Sequence, residues 1–102
     1  MTSSDEIVVT VEAGLADLVP TFLANCRAHA RTLRTAAAAG DLATAASVGH
    51  NLTGSGTSYG FEQISDLGRA IERLAKGRDA RAVADLAQQL EDYLSRVRTV
   101  SG

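Results

Sequence analysis

Apolar residues recur every three or four positions in four separate segments of this chain, and only a few residues lie between one segment and the next. That spacing places the apolar side chains on one face of a helix. Short connections make consecutive helices neighbours that run in opposite directions. The pattern therefore predicts an all-α fold, namely an antiparallel up-down four-helix bundle.

Composition supports helices and excludes several classes of function. The 102 residues suffice for one domain, and they are rich in alanine and leucine, with one proline and no tryptophan. The net charge of −2 gives no basic surface for nucleic acid. No apolar run is long enough to span a bilayer, no signal-peptide pattern is evident, and the lone Cys26 cannot form an internal disulfide. We therefore expect a small cytoplasmic protein.

The N-terminal region divides into a polar start and a β-branched stretch. Met1 to Asp5 is predicted to be disordered. Ile7 to Val11 favours extended backbone, but no second strand is evident, so we interpret it as a lead-in that lies against the helices. The predicted organisation is an extended lead-in over residues 1–11 and a bundle over residues 12–100. A bundle that begins this close to Met1 favours a stand-alone protein.

Turn and capping residues predict where the helices end. Pro20 lies inside the first periodic segment, which extends from about Ala13 to Ala39, and it predicts a kink or break there. The other boundaries follow from residues typical of helix ends, which are Gly40, Asp41, Gly77 and Asp79, with fraying expected over Thr57 to Gly60 and a third helix beginning near Phe61.

His50 is the residue that points to chemistry. The apolar stripe of the second helix centres near Gly49, and His50 lies roughly 100° away from it, at the edge of the core face. Gly54, one turn later, is too small to cover the imidazole. Glycine inside a helix costs roughly 1 kcal/mol relative to alanine, so Gly54 predicts the close approach of a partner. Gly49 and Gly56 lie on the inner stripe and indicate tight helix packing.

The third helix carries charged residues on the side that faces His50. Arg69 and Glu72 are predicted to stand at about its height. Arg69 or Lys76 could attract a phosphoryl group, and Glu72 could hold one imidazole nitrogen so that the other is free to attack. The alternative is an ordinary charged face with helical pairs such as Arg69–Glu72 and Glu72–Lys76.

The motif resembles that of histidine-containing phosphotransfer (HPt) domains of bacterial phosphorelays. The matching residues are His50, Leu52, Gly54 and Ser55, followed by Gly60-Phe61, Ile64, Leu67 and Ile71-Glu72. The resemblance implies that His50 is the phosphoacceptor, receiving a phosphoryl group from a receiver-domain aspartate or a kinase and passing it to another response regulator. It implies a phosphocarrier rather than an enzyme. One departure is Thr53, which stands where the family has lysine.

The partners follow from the resemblance and from the shortage of metal ligands. We expect receiver domains and a hybrid sensor kinase to bind a monomer, with neither nucleic acid nor membrane as a partner. No carboxylate cluster suits Mg²⁺, so the receiver is expected to supply this ion and this chain is expected to need no cofactor. The residues predicted to bind partners are Ser47, Asn51, Thr53, Gly54, Thr57, Arg69, Glu72 and Lys76.

Two other interpretations remain open at this point. The first is a docking module that binds a receiver or kinase without transferring phosphate, which Thr53 in the lysine position would favour. The second is a metal site at Cys26 and His29, three residues apart on one helix. That site lacks the third ligand that zinc normally requires, and His29 is better explained as a packing or boundary residue.

Overall fold

The computed structural model describes residues 5–102, which form four α-helices and a pair of short strands. The predicted four-helix, all-α fold is confirmed. Disorder was predicted for Met1 to Asp5, and residues 1–4 of that segment lie outside the described range. In chain order the elements are strand β1 (Ile7–Val11), a 3-10 helix (Ala13–Leu18), α1 (Val19–Ala39), α2 (Leu42–Tyr59), α3 (Glu62–Lys76), α4 (Ala80–Arg96) and strand β2 (Val97–Ser101).

The predicted capping residues begin and end the helices. Asp41 accepts a hydrogen bond from the Thr44 backbone N–H at 3.2 Å, and Asp79 accepts one from Ala82 at 3.0 Å. Each bond satisfies an N–H that the first helical turn leaves unpaired. Gly40 adopts the left-handed conformation, with φ of 70°, that ends α1. Gly40 and Asp41 together determine where α2, the helix that carries His50, begins.

One predicted feature of the helices is wrong. The fraying expected over Thr57 to Gly60 is absent, because α2 continues to Tyr59 and ends at Gly60, whose φ is 85°. The break expected at Pro20 is present just before it, because the first periodic segment consists of a 3-10 helix that ends at Leu18 and of α1, which begins at Val19. Pro20 lies in the first turn of α1 and not in the helix interior. An N–H in the first turn has no acceptor within the helix, so its absence in proline costs no hydrogen bond there.

The lead-in has a partner strand, contrary to our expectation. β1 pairs in parallel with β2, with Ile7 opposite Val97 and Val11 opposite Ser101. Arg98 contributes to the pairing by approaching Glu6, with 3.5 Å between Nε and Oε1.

The core lies along the inner faces of the four helices and closes at one end with aromatic rings. Phe22 of α1 stacks on Tyr59, with ring centroids 4.5 Å apart, and lies 5.1 Å from Phe61. This cluster holds the α2–α3 turn against α1. Leu18 lies outside this core. It is 50% exposed because it belongs to the 3-10 helix that precedes α1.

Glycines let α2 and α3 pack with their backbones nearly touching. A Cβ atom on Gly49 would lie 2.8 Å from the backbone nitrogen of Glu72, and one on Gly56 would lie 2.7 Å from that of Ser65. The predicted packing role of Gly49 and Gly56 is therefore confirmed. Gly49 lies against Glu72, whereas Gly56, further along α2, lies against Ser65, which comes earlier in α3. This close packing determines which residue of α3 lies opposite His50.

Candidate functional site

His50 stands on the outer surface of α2, and its side chain is 76% exposed. Its neighbours on the inner side of the helix, Val48, Gly49 and Leu52, are buried and anchor this turn to the core. The imidazole is thus presented to solvent from a rigid backbone, as the helical wheel predicted. An exposed ring on a fixed element is suited to attack on a large partner.

Glu72 on α3 contacts the ring from one side. Its Oε1 lies 3.5 Å from His50 Nδ1, slightly beyond a standard hydrogen bond. A carboxylate on that side favours the tautomer that carries its proton on Nδ1. The lone pair is then on Nε2, the ring nitrogen away from Glu72. The predicted height of Glu72 relative to His50 agrees with this geometry.

Lys76 binds the same carboxylate from the following turn of α3. Its Nζ lies 3.0 Å from Glu72 Oε2. This hydrogen bond is the main reason why the pKa of Glu72 falls below its usual range, and the charges of Lys76 and His50 add to the effect. Glu72 therefore stays ionised and connects the imidazole to an ammonium group.

Arg69 is not part of this chain of contacts. Its Nη2 lies 2.6 Å from Asp66 Oδ1, so its charge is paired one turn earlier on α3. The structure thus contains the predicted Glu72–Lys76 pair, whereas Arg69 pairs with Asp66 instead of Glu72. Of the two cations suggested for the site, only Lys76 is linked to His50 through Glu72.

Thr53 points into the α2–α3 interface. It is half-buried, and its hydroxyl donates to the carbonyl of Gly49 at 2.9 Å. Ser65 is fully buried beneath it and donates to the carbonyl of Thr53 at 2.8 Å, while its hydroxyl lies 2.9 Å from that of Thr57. The hydroxyl groups of Thr53 and Thr57 therefore make internal hydrogen bonds, a role that the helical wheel did not reveal for Thr57.

Gly54 borders open space. Among residues 5–102, a Cβ atom built on it would meet nothing within 4 Å, in contrast to Gly49 and Gly56. Its lack of a side chain has no explanation in the packing of these residues. Ser47 and Asn51 are exposed on the same helix. The surface of α2 around His50 therefore carries short side chains.

A groove between α1 and α2 lies beside this surface, and sequence reasoning missed it. Its volume is about 470 Å³. Exposed Leu18 and buried Phe22 give it an apolar portion. Leu18 is the residue that could have indicated this groove. Its exposure follows from the boundary between the 3-10 helix and α1, which the sequence pattern did not place. The other residues that line the groove are Thr21, Asn25, Cys26, His29, Asn51, Ser55 and Tyr59.

The pair Cys26 and His29 does not have the properties of a metal site. Cys26 is 1% exposed, and burial raises the pKa of its thiol to about 12, which disfavours the thiolate that binds metals. His29 is half-buried, and desolvation lowers its pKa. Within residues 5–102 no three His, Cys, Asp or Glu side chains gather as metal ligands would.

Comparison with known proteins adds a family to this geometry. The family model of the Hpt domain matches residues 17–100, which include all four helices. The chain belongs to the Hpt domain family, whose members are phosphocarrier modules of phosphorelays that interact with receiver domains and kinases. Neither the curated proteins nor the solved structures gave a significant match. Over residues 5–102, no helix is both long and apolar enough to cross a membrane.

Proposed function

We propose that His50 is the phosphoacceptor of this domain and that it carries phosphate between the aspartates of receiver domains, or from a kinase to a receiver. The observation that supports this most directly is the 76% exposed imidazole whose Nδ1 faces Glu72 at 3.5 Å. One nitrogen is engaged by the protein, and the other faces solvent beside a glycine that leaves room for a partner.

The transfer step follows from this arrangement. The Nε2 lone pair attacks the phosphorus of an aspartyl phosphate in line, an N–P bond forms, and the P–O bond breaks with its electron pair passing to the aspartate carboxylate. The ring keeps its Nδ1 proton, which stays directed at Glu72, and gains positive charge. Transfer to the next receiver is the reverse of this step.

The metal for this reaction is assigned to the partner. Charge on the transferring phosphoryl oxygens is normally neutralised by Mg²⁺. Residues 5–102 hold no cluster of three metal-ligating side chains, and the carboxylate nearest His50 is already bound by Lys76. We therefore assign Mg²⁺ and the acidic pocket to the receiver domain.

The docking surface that we propose combines the face of α2 around His50 with the groove toward α1. Gly54 gives the receiver access to the imidazole, and exposed Ser47 and Asn51 lie around it. The groove beside Asn51 and Ser55 offers Leu18 as an apolar contact. Interfaces of this kind bury an apolar centre inside a polar rim.

A transfer assay tests the proposal. A panel of receiver domains is phosphorylated with labelled phosphate and mixed with wild type, His50→Gln and His29→Gln. We expect acid-labile, base-stable label on wild type and on His29→Gln, and none on His50→Gln. Label on His50→Gln, or no label on wild type from any receiver or kinase, would contradict the proposal.

A docking module without transfer is the second candidate, because Thr53 brings no cation to the site and is turned inward. It predicts that wild type binds a receiver but never acquires label. Binding is measured by titration calorimetry with the same receivers, and Thr53→Lys is the variant that would then be tested for gain of transfer.

A further inference from the structure

The acceptor imidazole lies beside a negative charge. Glu72 is 23% exposed and its pKa is depressed, so it is ionised at neutral pH, 3.5 Å from the ring. A phosphoryl group carries about two negative charges near neutral pH. The carboxylate that orients the ring therefore also repels the group that the ring must accept.

Lys76 is placed to offset that repulsion. The two oxygens of Glu72 are divided between two partners, Oε1 toward His50 and Oε2 toward the Lys76 ammonium at 3.0 Å. The side chain of Lys76 is 68% exposed, and its ammonium lies beside the carboxylate on the side away from His50. Arg69, on the same helix, is already paired with Asp66.

We propose that Lys76 is a positioning residue for phosphoryl transfer at His50, acting by neutralising the Glu72 carboxylate that holds the ring. This inference rests on the proposed function. Glu72 determines the tautomer of His50, and Lys76 offsets the electrostatic repulsion between the Glu72 carboxylate and the incoming phosphoryl group. The pair thus provides an oriented imidazole with little net charge beside it.

A set of charge variants tests this role. Lys76→Met should lower the rate of phosphoryl acceptance roughly fivefold, as expected for the loss of one exposed, partly screened charge pair. Lys76→Arg should restore most of the rate because it keeps the charge. Arg73→Met, which removes an equal charge from an exposed position on the same helix, is the matched control and should transfer at the wild-type rate.

The double variant separates this mechanism from a general effect of positive charge. Glu72→Gln combined with Lys76→Met removes both charges, while the amide oxygen can still accept from Nδ1. Its rate should therefore exceed that of Lys76→Met alone. In high salt the Lys76→Met deficit should shrink, because screening weakens the repulsion. Thermal unfolding of every variant checks that the bundle is intact.

The outcomes distinguish this inference from the proposed function. If wild type acquires label and Lys76→Met acquires it equally fast, the role of Lys76 is wrong and the phosphocarrier function stands. A double variant as slow as Lys76→Met would also overturn it, since the missing charge would then matter without Glu72. If wild type acquires no label from any donor, the proposed function itself fails.

Discussion

Gly49 on α2 and Gly68 on α3 lie face to face, and a Cβ atom on either would come within 2.8 Å of the carbonyl oxygen of the other. Such separations are shorter than a carbon–oxygen contact allows, so neither position accepts alanine without movement of a helix. The same contact sets the distance from His50 to Glu72, because a Cβ on Gly49 would also press on the Glu72 backbone nitrogen.

Alanine at either glycine should therefore destabilise the bundle. We expect Gly49→Ala and Gly68→Ala each to lower the free energy of unfolding by about 1–3 kcal/mol, the usual cost of overpacking. Urea denaturation measures the change. Gly54→Ala is the control, and it should raise stability by up to about 1 kcal/mol, because its Cβ meets nothing and alanine favours the helix. Equal effects at all three positions would contradict the packing described here.

A long side chain at Gly54 should block transfer while leaving the fold intact. Gly54→Gln has open space for its side chain in the free domain and glutamine favours the helix over glycine, so its unfolding temperature should equal or exceed that of wild type. In a receiver complex the same side chain would occupy the space beside His50. We expect at least a tenfold loss in the rate of transfer, about 1.4 kcal/mol or more. Normal transfer by Gly54→Gln would show that the receiver does not approach over this turn.

The buried hydroxyl of Ser65 should contribute to stability. It donates to Thr53 and contacts the Thr57 hydroxyl, and no buried side-chain nitrogen or oxygen among residues 5–102 lacks a partner. Ser65→Ala should cost about 1 kcal/mol of unfolding free energy, the net value of a hydrogen bond. Ser58→Ala, which removes an exposed hydroxyl from α2, serves as the control.

Cys26 should be unreactive in the folded protein. With the pKa of its thiol raised to about 12 by burial, almost no thiolate exists at pH 8, and reagents cannot reach the sulfur. We expect a thiol reagent to modify Cys26 only after unfolding, with a rate that rises steeply with urea.

The same raised pKa gives a pH dependence of stability. A thiol in the unfolded chain ionises near pH ~8.5. Because the folded thiol stays protonated to higher pH, its contribution is complete below that value and is lost as pH rises toward 12. Cys26→Ala should remove this part of the alkaline decline. An identical decline in wild type and variant would assign it to other groups.

Local signals in the sequence predicted most of the helical framework. Asp41, Asp79 and Gly40 act through neighbours within a few residues, so their roles can be inferred without tertiary structure. The exposure of His50 followed from its angle to the stripe near Gly49. These predictions depend on helix geometry alone, which is why they agree with the structure.

Features that depend on distant or competing partners were not predicted. β1 was visible as a β-branched run, but the segment that pairs with it, Val97–Ser101, follows α4 without a break, so its β-branched residues could not be separated from the end of the helix. Arg69 had carboxylates on either side along α3, and the sequence does not specify which one it binds. The groove at Leu18 required the helix boundary and the position of α1 against α2 together.

The parallel pairing of Ile7–Val11 with Val97–Ser101 has a consequence for the order of folding. Its partners are separated by roughly ninety residues of chain, so closing that loop costs more entropy than a contact between successive helices, by about 0.6 kcal/mol for each doubling of loop length. The helices can form and pack through nearby contacts first, and only their packing brings the two strands together. The register directs the Val9 and Val100 N–H groups at the opposite strand. We expect protection of these two amides from hydrogen exchange to develop last during refolding, so that their protection reports a completed bundle.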